Sequence, residues 1–273
     1  KQGESILIKL SGIQEPFAIL EIDSLFKMNL DSMAKKMFST NDLNHPGVKK
    51  LFAKGDSFVS GKVSLLKRIP SKYKYYEITP IDSRQIMENK GWSRVVGFHT
   101  RNIPHRGHEY IQKKALEITN ADGIFISPVI GIKKKGDFTA DAIINSFEIL
   151  LKEGFYKPYE ALIGSFNTYS RYSGPKEAAF TAICRKNYGC NYFIVGRDHT
   201  GVGNFYDNKD SQKIFADLDL GMDILKFDQA SYCRKRKKIT ENFKDEKYLN
   251  SKIEISGSML RDLIVKGAKI PDY

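Results

Sequence analysis

Arg94-Val95-Val96-Gly97-Phe98-His99-Thr100-Arg101-Asn102-Ile103-Pro104-His105-Arg106-Gly107-His108 is the stretch on which the reading of this chain turns. Its first five residues form a compact apolar strand. A helix is expected to begin near His105 and run to about Ile118, because Ile111, Ala115 and Ile118 recur on one face. A helix start presents free backbone N–H groups and a positive dipole end, which suits phosphate. Gly107 removes a side chain where a phosphate must come close. His105 and His108 fall on nearly the same helix face. Their N–H groups can donate to the oxygens of an α-phosphate as charge grows during displacement, which is catalysis by placement and electrostatics without a covalent nucleophile.

The same alternation continues downstream. Gly123 to Val129, Ala161 to Gly164 and Tyr192 to Gly196 read as buried strands, with helices over Ala140 to Leu151 and Gly174 to Asn187 between them. Strands alternating with helices imply βαβ crossovers and a parallel sheet. Ligands of such sheets sit at the carboxyl ends of the strands, and the polar loops 99–108, 130–138, 165–173 and 196–206 fall there. Upstream, residues 1–69 read as mostly β with one helix over Asp31 to Phe38. The strands are Phe17 to Ile22 and Phe58 to Leu66, and Asn44-His45-Pro46-Gly47 reads as a turn. Ile69 to Lys74 has the composition of a linker, and Thr79-Pro80 resembles a helix start with Pro in first position.

Two further segments carry chemistry. In Gly196-Arg197-Asp198-His199-Thr200-Gly201-Val202-Gly203, backbone can approach a nucleotide, Arg197 offers a fork for phosphate or a plane for stacking on a base, and Asp198 orients a neighbour. In Ile255-Ser256-Gly257-Ser258-Met259-Leu260-Arg261, Ser256 or Ser258 caps a helix whose start can hold phosphate oxygens. Each also has a plain structural reading: incidental histidines, a Gly-rich loop with an Arg–Asp pair, an ordinary capped helix. The chain holds five histidines, and His99, His105 and His108 lie within ten residues, with His199 in another strand-end loop. A metal site would use such a cluster, but Arg101 and Arg106 would repel a cation.

The net charge of +12 admits an anionic partner, but scattered lysines alone account for it. Only Arg234-Lys235-Arg236-Lys237-Lys238 is a run, and it is expected to be a solvated hairpin or loop rather than a nucleic-acid patch. No stretch of 18 apolar residues occurs, so no membrane span is expected. Cys184, Cys190 and Cys233 form no CxxC pair, which points to reduced thiols in a cytoplasmic protein and to no zinc. The chain starts at Lys1 without Met and runs directly into a strand-like segment, so a trimmed N-terminus is expected.

Together the three segments, in this order, resemble the HxGH nucleotidyltransferase superfamily, and more closely the ATP sulfurylase (sulfate adenylyltransferase) family. Further residues carry the likeness: Glu77-Ile78-Thr79-Pro80, Lys90-Gly91-Trp92, Lys135-Gly136-Asp137, Arg171-Tyr172 with Gly174-Pro175-Lys176-Glu177-Ala178, and Arg185-Lys186-Asn187-Tyr188-Gly189-Cys190. Phe17-Ala18-Ile19-Leu20 and His45-Pro46-Gly47-Val48 are similar to that family's PUA-like domain. The resemblance implies an α/β fold: a Rossmann-like parallel-sheet nucleotidyltransferase domain over 70–220, preceded by a β-rich PUA-like domain over 1–69 and followed by a small C-terminal subdomain over 221–273. It implies transfer of the adenylyl group of ATP, carried with Mg2+, to a small oxyanion, most simply sulfate, with release of pyrophosphate. It also implies a homo-oligomer. Thr100, Arg101, Asn102, His105 and His108 are then the catalytic set, with Arg101 gripping the attacking oxyanion. Gly107, Gly196, Arg197, Asp198, His199 and Ser256 bind nucleotide, and His99, Arg101 and Thr200 bind the acceptor.

The match breaks at the acceptor. The family reads Gln-Thr-Arg-Asn where this chain has His99-Thr100-Arg101-Asn102, and Gly-Arg-Asp-His-Ala-Gly where it has Thr200. Ser170 and Ser173 replace the family's Met and Ala. A methylene-sized change in a tight pocket is worth about 1–3 kcal/mol of discrimination, so a phosphonate or another oxyanion stands as the alternative acceptor. A non-catalytic RNA-binding or regulatory homologue is the alternative from another class.

Overall fold

The computed structural model describes residues 1–133, 136–197, 199, 201–241, 243 and 246–272, with backbone alone at 246 and 247. The chain divides into two compact units, Lys1–Lys74 and Tyr75–Tyr273.

In the first unit β1 (Ser5–Ile8) and β3 (Ser57–Leu65) flank β2 (Ala18–Lys27) in an antiparallel sheet. Along β2, Ala18, Leu20 and Ile22 are buried while Glu21 and Asp23 are exposed, the period of two that a one-sided sheet requires. A bulge between Ile22 and Ser24 ends that alternation. Two helices lie between β2 and β3, α1 (Leu30–Phe38) and α2 (Pro46–Ala53), where the sequence reading expects one helix and then a turn. The reason is His45. Its ring is fully buried, and its Nδ1 accepts from the backbone N–H groups of Gly47 (3.1 Å) and Val48 (3.3 Å) while Pro46 sets the first helical φ. Imidazole thus performs the N-cap task usually given to Ser, Thr, Asp or Asn. Its ring also packs 5.0 Å from that of Phe38, in a core with Ala34 and Val48.

The second unit is α/β. It runs α3 (Pro80–Asn89), β4 (Val95–Thr100), α4 (Arg106–Thr119), β5 (Gly123–Pro128), α5 (Ala140–Lys152), β6 (Ala161–Ile163), α6 (Pro175–Asn187), β7 (Tyr192–Val195), α7 (Asp210–Lys213) and β8 (Asp223–Lys226). Thr79 opens α3 with a complete capping box to Asp82. The sheet is wholly parallel in the order β6-β5-β4-β7-β8, with one strand more than the four apolar runs announce. β4 and β5 are buried almost throughout, as strands covered on both faces must be. Val96, Phe98, Ile124, Ile126, Ile143, Phe147 and Ile194 form the main core. From β4 the chain first adds strands on one side, β5 and β6, then returns to add β7 and β8 on the other. The switch point, where a crevice opens outside the carboxyl ends, therefore lies between β4 and β7.

After β8 come β9 (Ser231–Cys233), β10 (Lys238–Thr240), α8 (Glu246–Leu249), β11 (Lys252–Glu254) and α9 (Gly257–Val265), with the three strands in a small antiparallel sheet ordered β10-β9-β11. The basic run 234–238 is the β9–β10 hairpin, as its composition suggests. No helix among the described residues is long and apolar enough to cross a membrane.

His45→Ala is expected to cost about 2–4 kcal/mol, a lost cap plus a cavity. His45→Asn, which keeps an acceptor, should cost less. Urea unfolding of the three proteins measures both.

Candidate active site

The carboxyl ends of β4 and β7 enclose a cavity of about 180 Å³ lined by Phe98 to Asn102, His108, Ile111, Ser170, Ile194, Gly196 and His199. Pockets for whole small ligands run to roughly 300–1,000 Å³, so this volume suits the reacting end of a nucleotide and a small anion.

The turn between β4 and α4 builds one wall. Thr100 is buried. Its hydroxyl accepts from the N–H of Asn102 at 3.0 Å and donates to the carbonyl of Asn102 at 3.2 Å. The proton of Thr100 is thus committed within the turn, and Thr100 shapes the loop that presents Arg101 and Asn102. Arg101 lies over the ring of Tyr172, 5.2 Å from its centroid, and its Nη1 is buried with no partner among the described residues. Asn102 accepts through Oδ1 from Nη1 of Arg261 at 3.4 Å, and the same nitrogen donates to Asp137 at 3.3 Å. Arg261 also donates to Ser258 at 3.0 Å. It therefore ties the β4 turn, the loop after β5 and the start of α9 together. Arg261 and Asp137 belong to quoted motifs, but only the fold gives them this task.

His105 is the N-cap of α4. Its Nδ1 accepts from the N–H of His108 at 3.3 Å, so the neutral ring carries its proton on Nε2. The two imidazoles stack at 3.7 Å between centroids and 17° between planes. That stacking explains Gly107 differently from the sequence reading: a Cβ there would stand 3.1 Å from Cε1 and Nδ1 of His105. The glycine makes room for the ring. Nδ1 of His108 is buried without a partner among the described residues. Burial holds His105 down to about 4, and burial followed by the neighbouring His105 holds His108 well below the ordinary imidazole value. Both rings are neutral at pH 7, so they serve as hydrogen-bond groups rather than as cations.

Gly196 is different in kind. A Cβ there would meet nothing within 4 Å, yet the residue lines the cavity. No neighbour among the described residues requires its bareness, so the space in front of it is open. His199 contacts Thr181 Oγ1 through Nε2 at 3.2 Å, and burial, then Arg101 and Arg185, hold it down to about 4. Arg197 is not among the cavity-lining residues. It reinforces Lys252, whose hydrogen bond at 3.1 Å does most to hold the Glu254 carboxyl below its ordinary range. Ser256 caps α9, accepting from Met259 N–H at 3.2 Å. Asp198, Thr200 and Lys135 lie outside the described residues.

His99 lines the cavity beside His199, 5.9 Å away between ring centroids. Burial and then the Arg185 guanidinium push its ring well below the ordinary value. Arg185, quoted above only for the family likeness, and Lys133, not singled out in the sequence, are further basic side chains that act on His99. Arg185 is wholly buried on α6. Lys133 donates to the carbonyl of Val129, and burial lowers it to about 8. Neither follows from spacing, since a basic residue in a helix or loop reads as solvated. Among the described residues no group of three His, Cys, Asp or Glu side chains could hold a metal ion.

A phosphate-sized crevice at the switch point of a parallel sheet, entered by a histidine-capped helix, defines an α/β nucleotidyltransferase. Residues 74–273 match the ATP-sulfurylase family and residues 1–68 a PUA-like domain. Sulfate adenylyltransferase of Pyrococcus abyssi is 40% identical over 279 residues, covering all of this chain and 71% of that protein. That of Ignicoccus hospitalis is also 40% identical, covering all of this chain and 70% of its own length. Among solved structures, the hexameric APS kinase from Thiobacillus denitrificans superposes with a TM-score of 0.70 at 16% identity, over all of this chain and 47% of that one, a likeness of fold. The chain belongs to the ATP-sulfurylase family.

His99, His105, His108 and His199 all have folded-state values below the unfolded value of about 6.5. The unfolded chain therefore binds more protons as pH falls from about 6.5 towards 4. Stability should be fully present above 6.5 and decline below it, by about 1.4 kcal/mol per pH unit for each histidine in the window. Urea midpoints at pH 5 and pH 7 check this, and an unchanged midpoint contradicts it.

Proposed function

We propose that this chain transfers the adenylyl group of ATP to sulfate and releases pyrophosphate. An oxygen of sulfate attacks the α-phosphorus, the bond from that phosphorus to the bridging oxygen of the β-phosphate breaks, and pyrophosphate leaves with the electron pair. The observation that carries this reading is the buried Nη1 of Arg101, unpartnered among the described residues, on a residue that lines the same cavity as the bare Gly196. In it Arg101 holds the oxyanion, and the α-phosphate lies against Gly196. His105, through Nε2–H, and His108 attend the triphosphate, and Ser256 with the start of α9 adds N–H groups. Asn102, steadied by Arg261, faces the reacting phosphate. Arg197 and Asp198 belong to the nucleotide side. Magnesium is part of the substrate, arriving on the triphosphate.

Sulfate is favoured over a phosphonate by the state of His99. A glutamine amide offers a neutral donor. A neutral imidazole offers one as well, so the exchange in this chain preserves the type of contact even as it changes its shape. The sulfate adenylyltransferases among its relatives support the same acceptor. A homo-oligomer and a separate C-terminal subdomain from residue 221, by family likeness, and a cytoplasmic location, from the sparse unpaired cysteines, complete the reading.

Pyrophosphate release across a panel of oxyanions tests it: sulfate should match or exceed every other acceptor, and faster turnover with a phosphonate would sink the assignment. His108→Ala should lower turnover about 100-fold or more with circular dichroism unchanged, as for loss of a transition-state donor.

A further inference from the structure

We propose that Arg185 is a positioning residue for His99: it holds the ring in a single tautomer, protonated on Nε2, and so fixes the donor that this chain presents to its acceptor. The proposal rests on reading this cavity as the acceptor site, and it assigns a task to a residue outside the cavity lining.

The geometry begins at Gly97. Residues two apart on a strand share a face, so Gly97 and His99 both look from β4 towards α6. A Cβ on Gly97 would stand 3.2 Å from Cβ and 3.3 Å from Cγ of Arg185. The bare glycine gives the arginine stem a track along β4, and the track ends with Nη1 of Arg185 at 3.4 Å from Nδ1 of His99. A guanidinium has donors and no acceptor, and it stays charged at any physiological pH. Nδ1 of His99 must therefore be the unprotonated nitrogen, which leaves Nε2–H as the only donor the ring can offer to the cavity it lines. Among the described residues the other charged or titratable groups acting on His99 are His199 from the loop after β7, Lys133 from the loop after β5 and Arg101 from its own turn. None of them is a carboxylate that would favour a charged ring.

Packing alone does not account for Arg185. It is fully buried, with Nε and Nη2 unpartnered, and among the described residues no carboxylate pairs with it. Its guanidinium centre lies 4.6 Å from the ring of Phe166, 5.2 Å from that of Tyr188 and 6.0 Å from that of Phe125. Aromatic faces offset part of the desolvation of a cation, but an apolar side chain of similar volume would fill this space without the cost. Among the described residues the one polar contact of the arginine side chain is the ring that departs from the family.

The test uses the full chain labelled with 15N-histidine. Long-range 1H–15N spectra of the free protein should show His99 neutral and protonated on Nε2. A ring protonated on Nδ1, or charged at pH 7, overturns the proposal without reference to turnover. Arg185→Met should give a mixture of tautomers and raise KM for sulfate about tenfold, the loss of one oriented hydrogen bond. KM for ATP should move less than about twofold, since the nucleotide contacts are left alone. In a His99→Gln background, where no tautomer exists to set, Arg185→Met should leave KM for sulfate within about twofold. An unchanged tautomer in Arg185→Met, or an equal rise in KM in the His99→Gln background, refutes the positioning role. If Arg185→Met does not fold, Arg185→Gln, whose amide is too short to reach Nδ1, takes its place. Absence of sulfate turnover in the wild type would defeat the functional reading alone, because the wild-type spectrum still decides the tautomer.

Discussion

β4 is hydrogen-bonded to a parallel strand on each side, and the connections that serve those two strands leave in opposite directions. A parallel sheet wound both ways cannot close over the carboxyl end of its first strand, so a crevice forms there. Everything distinctive about this chain is arranged around that opening. The turn of Thr100 to Asn102 leaves from β4, Gly196 and His199 follow β7, and α4 starts at the rim with His105 as its cap.

The crevice is also electrostatically unusual. Among the described residues Arg101 in the lining and Arg185 outside it carry buried nitrogens without partners, Lys133 is partly desolvated, and His99, His105, His108 and His199 are held neutral. Buried cations are ordinarily matched by carboxylates, because an uncompensated charge in low dielectric is expensive. For Arg101, which lines the cavity, the proposed oxyanion is that partner; Arg185 lies outside the lining and has aromatic faces in its place. The neutral histidines are part of the same arrangement: further positive charge would raise the cost of the empty site, while a neutral N–H still directs a hydrogen bond. Site and ligand are in this sense one electrostatic unit, divided between protein and solution.

Much of this was legible in the sequence, and the limits are physical. β4, β5, β6 and β7 are short apolar runs bounded by turn residues and helical segments, so local pattern suffices for them. β8 has only four residues and is half exposed, and each strand of the small β10-β9-β11 sheet has three, too few for any periodicity to declare itself. α2 was hidden because an imidazole caps it. The histidine-glycine segment was plain, but the reason for Gly107 was not: the spacing suggests room for phosphate, and the structure gives the room to the ring of His105. The link from Asn102 to Arg261 spans 159 residues and that from Arg261 to Asp137 spans 124, which no spacing argument can bridge. Arg185 stands in a motif that carries the family likeness, but only the fold lays its stem along Gly97 and His99.

The most direct measurement is a crystal structure of the chain with a non-hydrolysable ATP analogue and sulfate. The account predicts sulfate hydrogen-bonded to Nη1 of Arg101 and to Nε2 of His99, with the α-phosphate of the analogue against Gly196 in the crevice between β4 and β7. A nucleotide bound away from that crevice, with the Arg101 nitrogen still unpartnered, would contradict it.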